Sequence, residues 1–423
     1  MRIKYILVCI SILLISATVM SGCMPAVRPY ASAPESADAV NSESGTATGQ
    51  TTVDIPRANN ADYYKFYDDI IINTLKEDGM NVVSPVNIYC CTSLLAQTAA
   101  GNTQKQMLDA LGASDAADLA ENTKKITVSF YRNEEFMKTL SANSLWLDDR
   151  LNVKEDCADK LKKEYAAHIG KGRFSDEKYL AEMNRWFSEK TGGLLDGKIK
   201  EEADDETRAM LLSTLYLSAR WDDVFYYDSD DKTLFNEKTV CRYMKCVSMD
   251  TVYFGDGFTA YKKPFLDYDG AVWLFLPDED KTVYDVISKR PVEYIFSKNK
   301  TVKNGLEVHL TVPEFDVCSD GELNGALKSC GISDAFDARA DFSPLTDEPL
   351  LIDAVTHAAR VKADREGLEA AAYTGVTFAP GSAKPQKEPE KYNFDLYRTF
   401  FFVITDINDV PLFAGIVGDD GVK

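Results

Sequence analysis

From Gly367 to Ala379 the chain runs without a proline, and Leu368, Ala370, Ala372 and Thr374 share one face at period two. Every backbone N–H in that stretch is free to join a ladder on both sides, a property that a central β-strand needs. All of the set except Leu368 are small. Just beyond lie Pro380, Pro385 and Pro389, which belong in an exposed, irregular connection. Read locally, Glu366–Tyr373 also fits a helix start, and the Pro/Lys/Glu tail a disordered loop. The alternation adds another option: this segment can live either as a loop or as an inserted strand.

At the other end, Arg2 and Lys4 precede a mostly apolar run from Tyr5 to Met20, followed by Ser21, Gly22 and Cys23. A charged start, a short apolar stretch and small residues at the exit form the signature of a secretory signal. The run falls short of the roughly 20 residues a membrane span needs. Met20-Ser21-Gly22-Cys23 resembles the bacterial lipobox, in which the cysteine thiol is diacylated and becomes the new N-terminus. Residues 1–22 are therefore expected to be a lipoprotein signal peptide, with Cys23 lipidated and the protein extracellular, anchored to the bacterial membrane. An ordinary signal peptide with an incidental cysteine is the alternative. Residues 23–58 are rich in Ser, Ala, Thr, Gly and Pro and read as a flexible tether. One long domain, 59–423, remains.

That domain begins with helices. Tyr63, Phe66, Tyr67, Ile70, Ile71 and Leu75 fall at helical spacing, with Gly79 as a stop. Thr103 and Gln106 read as a capping box opening a helix through Leu111, closed by Gly112, and a further helix covers Ala181–Lys190. Strand-like runs follow at Leu140–Leu147, Met210–Leu217, Ala271–Leu276, Leu306–Val312, Thr399–Thr405 and Leu412–Val417. Helices early and strands late predict an α+β arrangement, not regular βαβ alternation.

Charge and motif content exclude several functions. With 67 acidic against 47 basic side chains, a net charge of −20, nothing neutralises a polyanion, so no nucleic acid is expected as a partner. Three histidines leave little room for a histidine-rich metal site. Apart from Cys9 and Cys23, the cysteines are Cys90, Cys91, Cys157, Cys241, Cys246, Cys318 and Cys330, without zinc-ribbon spacing. They read as small buried hydrophobes. There is no Gly-x-Ser-x-Gly elbow, Walker loop, dinucleotide fingerprint or His-Glu-x-x-His. No cofactor is expected, and Asp and Glu are plentiful enough to form a carboxylate pair that sequence cannot place.

A specific likeness arises from many short stretches in order. Asn81 to Ile88 (with Ser84, Pro85 and Asn87), Gly101-Asn102-Thr103 with Gln106 and Leu108, and Ala142 to Trp146 resemble landmarks of the serpin family. So do Asn184-Arg185-Trp186 with Thr191-Gly192, and Trp221 with Phe225. Pro313-Glu314-Phe315, Gly331 to Phe336, Asp341-Phe342-Ser343, Val355-Thr356-His357 and Pro411 to Gly415 continue the series. The resemblance spans roughly residues 59 to 418. It implies a serpin fold: helices plus three β-sheets, with a large central sheet and an exposed reactive loop at about 367–393. It also implies suicide inhibition of a serine or cysteine protease by a monomer. The protease attacks the loop, and the cleaved loop enters the central sheet before the covalent acyl-enzyme can be hydrolysed.

Residue by residue, Gly367 matches the hinge glycine, assigned to φ freedom. Glu369 with Ala370, Ala371 and Ala372 matches the Glu-Ala-Ala-Ala hinge run, preceded by Arg365 and Glu366. Leu368 stands where Thr or Ser is usual, and Tyr373 where a small residue is usual. Leu368 is expected in the exposed loop, so that an arginine there would leave the uncleaved form's stability nearly unchanged. Family spacing from Gly367 places the scissile bond at Gly381-Ser382, where Ala379, Gly381, Ser382 and Ala383 suit elastase-like or subtilisin-like proteases. In the sheet-opening region, His357 matches a histidine that normally bonds an asparagine, here Ser213; Ser84 and Asn87 are positioned to complete that network, and Trp221 belongs to the same region. Glu314 and Arg365 occupy the places of a lysine–carboxylate pair with both charges reversed, and are expected to form a salt bridge. Two alternatives stay open: a non-inhibitory serpin acting as a binding module, or an unrelated solute-binding lipoprotein or extracellular hydrolase with a dispersed site.

Overall fold

The computed structural model describes residues 4–11, 61–76, 79–190, 206–227, 233–268, 270–368 and 388–423. In chain order, the elements that matter for the site are strand β1 (Lys4–Ser11), helix α1 (Ala61–Thr74), helix α2 (Pro85–Ala96), helix α3 (Gly101–Leu111), strand β2 (Met137–Asp148), strand β3 (Thr207–Arg220) and strand β4 (Tyr226–Tyr227). Then come β5 (Tyr243–Gly255), β6 (Phe258–Pro264), β7 (Gly270–Pro277), β8 (Thr301–Pro313), β9 (Phe315–Glu322), β10 (Leu350–Ala363), β11 (Gly367–Leu368), β12 (Lys391–Asp395), β13 (Phe400–Asp406) and β14 (Pro411–Val417). The α+β class and all six predicted strands are present.

Local chemistry sets the helix ends. Pro85 opens α2 at a position whose N–H would be unpaired anyway, directly after Ser84. Gly112 closes α3 in the left-handed region at φ 69°. The capping-box expectation fails, because α3 begins at Gly101 and has no side-chain cap. Thr103 instead accepts from the Asp341 N–H, and Gln106 accepts from the N–H groups of Ser333 and Asp334. The two residues fasten a distant loop, not their own helix.

The described strands form three sheets of eight, nine and two strands. The nine-stranded sheet runs from β12 through β8, β5, β6, β7 and β13 to β14. Its strands β13 and β14 are buried at every position, which explains their continuous hydrophobic runs. In the eight-stranded sheet β2 pairs antiparallel with β3 from Met137–Ala219 to Leu147–Ala209, and β9 pairs antiparallel with β10 from Phe315–Ala363 to Glu322–Thr356. Helix α2, buried along its whole length, lies against this sheet and β14.

Between β10 and β3 lies the feature that defines the site. Among the described residues the two strands do not pair with each other; a third strand separates them at each end. At the upper end β11 pairs antiparallel with both, Leu368 opposite Ala363 and Ala219, Gly367 opposite Arg220. At the lower end β1 pairs parallel with both, from Lys4 opposite Leu350 to Ile10 opposite His357 and Ser213. The sheet thus has a slot one strand wide. Cys23, the tether and the loop residues Glu369, Ala370, Ala371, Ala372, Gly381 and Ser382 lie outside the described residues.

Cys90, Cys91, Cys157 and Cys246 are buried, as small hydrophobes would be, and burial pushes the Cys90 thiol up to about 12 and the Cys157 thiol to about 11. Among the described residues no disulfide joins any cysteine.

Candidate functional site

The slot is anchored from below by four polar side chains, each no more than 2% exposed. Ser213 on β3 donates its hydroxyl to Asn87 Oδ1 at 2.6 Å, and Asn87 returns an N–H to the Ser213 carbonyl at 3.3 Å. On the other bank, His357 Nε2 accepts from the Ser84 N–H at 3.1 Å, and Ser84 donates its hydroxyl to the Leu412 carbonyl. Both banks are thereby tied to the entrance of α2. Ser84 meets His357 and Asn87 meets Ser213 in two separate pairs, not in the single network expected around His357. Because Ile10 lies opposite both His357 and Ser213, these contacts exist with a strand between the banks. The network is compatible with a filled slot.

At the upper end, the chain leaves β10 through a tight turn. Asp364 Oδ1 accepts from the N–H groups of Glu366 and Gly367, and the Asp364 N–H donates to the Gly367 carbonyl. This side-chain-stabilised reversal brings the chain straight back alongside β10. Trp221, 5% exposed, holds the turn from the far side: its indole N–H donates to the Asp364 carbonyl at 2.8 Å and its own backbone N–H to the Glu366 carbonyl. Its ring stacks on Phe265 and meets Phe225 edge-on. The Phe225 N–H donates to the Arg365 carbonyl, and Arg220 pairs with Glu366 at 3.6 Å.

Three expectations for this region are corrected. Leu368 is not in an exposed loop; it is 2% exposed, already packed between the banks. The turn at Asp364 reverses the chain so quickly that β11 enters the sheet at once. Gly367 is not needed for φ freedom, since its φ is not in the left-handed region. It is needed for close approach: a Cβ there would sit 2.1 Å from the Ala219 carbonyl oxygen and 2.9 Å from Arg220 Cα. Finally, Glu314 and Arg365 do not form a salt bridge. Glu314 takes a hydrogen bond from the Tyr227 hydroxyl and pairs with Arg242 at 3.7 Å, while Arg365 pairs with Glu366 at 3.0 Å. Arg365 also lies over the Tyr227 ring, 5.5 Å from its centroid.

Sequence reasoning missed Tyr227, Asp364 and Arg220. Asp364, three residues before a glycine, carried a turn signal; Tyr227 carried none. The outer bank is reinforced where Arg360 on β10 grips Asp316 on β9 through two hydrogen bonds, with Lys423 on the same carboxylate. Burial alone would raise the Asp316 carboxyl, but Arg360 and Lys423 hold it below the usual carboxylate range.

The family model "Serpin (serine protease inhibitor)" matches residues 61–419. The chain belongs to the serpin family. Serpin-ZX of Arabidopsis thaliana is 24% identical over 82% of this chain and 94% of its own length. A serine protease inhibitor of Cyanea capillata is 26% identical over 80% and 92%. Among solved structures, the native state of the thermophilic serpin tengpin aligns with a TM-score of 0.72 at 24% identity, covering 88% of this chain and 95% of that one. Thyroxine-binding globulin in complex with thyroxine aligns at 0.68 and 20%, covering 86% and 98%. Fold and family together support a serine protease inhibitor role for this serpin.

Proposed function

We propose that this serpin is a suicide inhibitor of serine proteases, tethered to the outer face of a bacterial membrane through a lipid on Cys23. The observation that carries the reading is β11. Two residues of the hinge already occupy the slot, antiparallel to β10 and β3, in the direction a longer strand would follow. Continuing it toward His357 and Ser213 needs only alternating small residues, which Ala370, Ala372 and Thr374 supply.

Insertion of about 15 residues at roughly 3.3 Å each carries the cleavage point on the order of 50 Å. A protease acylated at that point is dragged with it. Its oxyanion hole and catalytic groups tolerate little misplacement, so the ester is left unhydrolysed. The slot holds one strand, and β1 fills its lower half; signal removal at Cys23 would clear that half for the loop.

The form beginning at Cys23 is expected to give an SDS-resistant complex with an elastase-like or subtilisin-like protease. Mass spectrometry should find a released C-terminal fragment beginning between Pro380 and Lys384. Turnover without complex across a panel of serine proteases, or cleavage only at Phe378 or beyond Pro385, would contradict it.

A further inference from the structure

Glu314, at the head of β9, and Arg365, in the hinge turn, face one another across a single side chain. Tyr227, on the short strand β4, pairs with Met244 of β5. Its hydroxyl donates to Glu314 Oε1, while Arg365 lies 5.5 Å and Arg242 5.1 Å from its ring centroid. Burial first, then the Glu314 carboxylate, pushes the phenol's pKa up, so the hydroxyl keeps its proton and remains a donor. Glu314 is itself fixed by its backbone: its N–H donates to the Arg242 carbonyl and its carbonyl accepts from the Lys423 N–H. The ring is therefore anchored at its hydroxyl end to Glu314 and presents its face to the Arg365 guanidinium in the hinge turn.

We propose that Tyr227 is a positioning residue that adds to the hold of Trp221 and Arg220 on the hinge turn, transmitting the fixed position of Glu314 to Arg365 and keeping β11 paired with β3. The proposal rests on the loop-insertion reading but can be tested without any protease. Among the described residues, the half-exposed Arg365 side chain reaches Glu366, its neighbour in the chain, and the Tyr227 ring. Glu366 pairs with Arg220 of β3 at 3.6 Å and so ties Arg365 to one bank of the slot; Tyr227 ties it to Glu314, at the head of β9 on the other bank. A charge pair between Glu314 and Arg365 would be screened by salt; a cation over an aromatic face depends on contact and much less on ionic strength.

Hydrogen exchange of the amides of Glu366 to Leu368 is the direct test. Tyr227→Ala should speed it about three-fold to ten-fold, the range expected for loss of a partly desolvated cation–π contact. Amides of Ser213 and His357, at the lower end of the slot, should be unchanged. Tyr227→Phe keeps the ring but loses the Glu314 anchor and should give a smaller increase, which also keeps the test valid if the alanine variant folds poorly. In an Arg365→Ala background, Tyr227→Ala should add little. With a protease that the wild type traps, Tyr227→Ala should raise the stoichiometry of inhibition in proportion to the lost protection. Unchanged hinge exchange in both Tyr227 variants, or loss spread equally over the whole slot, would overturn the proposal. Faster hinge exchange in a protein whose wild type traps no protease would leave the latch standing and remove the inhibitory reading.

Discussion

Replacing Leu368 by Arg is expected to convert the protein from inhibitor to substrate and to lower the thermal midpoint of the uncleaved form. Leu368 already lies between Ala363 and Ala219 at 2% exposure, so the substitution acts before any protease arrives. A guanidinium kept there would be buried without a partner, at a cost of several kcal/mol. Expelling β11 from the slot is the cheaper response and gives up about 2 kcal/mol of leucine burial. That sets the loss in the uncleaved form and corresponds to a fall of about 2–3 °C. Cleavage removes this exit, because full insertion passes through the same position. Insertion slows, water reaches the ester first, and the protease is released. Melting curves and stoichiometry titrations measure the two effects. A variant that melts like wild type, or traps protease at wild-type stoichiometry, contradicts the position assigned to this side chain.

Gly367→Ala should have an effect of comparable size for a different reason. One added methyl group would lie 2.1 Å from the Ala219 carbonyl oxygen, a backbone atom that cannot rotate away. Overpacking of this kind costs about 1–3 kcal/mol, so insertion should slow about ten-fold or more and the stoichiometry of inhibition should rise accordingly. Because the backbone here lies outside the left-handed region, alanine carries no conformational penalty, so any loss on substitution reports the close approach to β3. A neutral Gly367→Ala would mean that β11 does not approach β3 as closely as described.

The sequence revealed some parts of this architecture and hid others for physical reasons. Strands β13 and β14 were plain because both faces are buried and their runs are continuously apolar. Strand β10, Leu350–Ala363, was not recognised. Its Ala-Ala-Arg and Val-Lys-Ala stretches favour helix as much as strand, and it is extended because β9 pairs along one edge. Ser84 and His357 were matched only through family resemblance, since 273 residues separate them and no periodicity connects them. Thr103 and Gln106 fit a local motif, yet tertiary contacts to Asp341 and Ser333 took their hydrogen bonds. The reversed charges at Glu314 and Arg365 suggested the right neighbourhood and the wrong contact. An aromatic ring from a separate short strand fills the gap between them, and nothing around Tyr227 in the chain announces that.

The central claim is that the loop beyond Leu368 completes the central sheet once it is cut. Thermal melting of the form beginning at Cys23, before and after a single cleavage between residues 369 and 387 by a protease that is not trapped, tests this most directly. Completing the strand adds about a dozen ladder hydrogen bonds at about 1 kcal/mol each, which should raise the midpoint by about 15 °C. A cleaved chain that melts at the temperature of the intact one, or below it, would show that the slot does not take the loop.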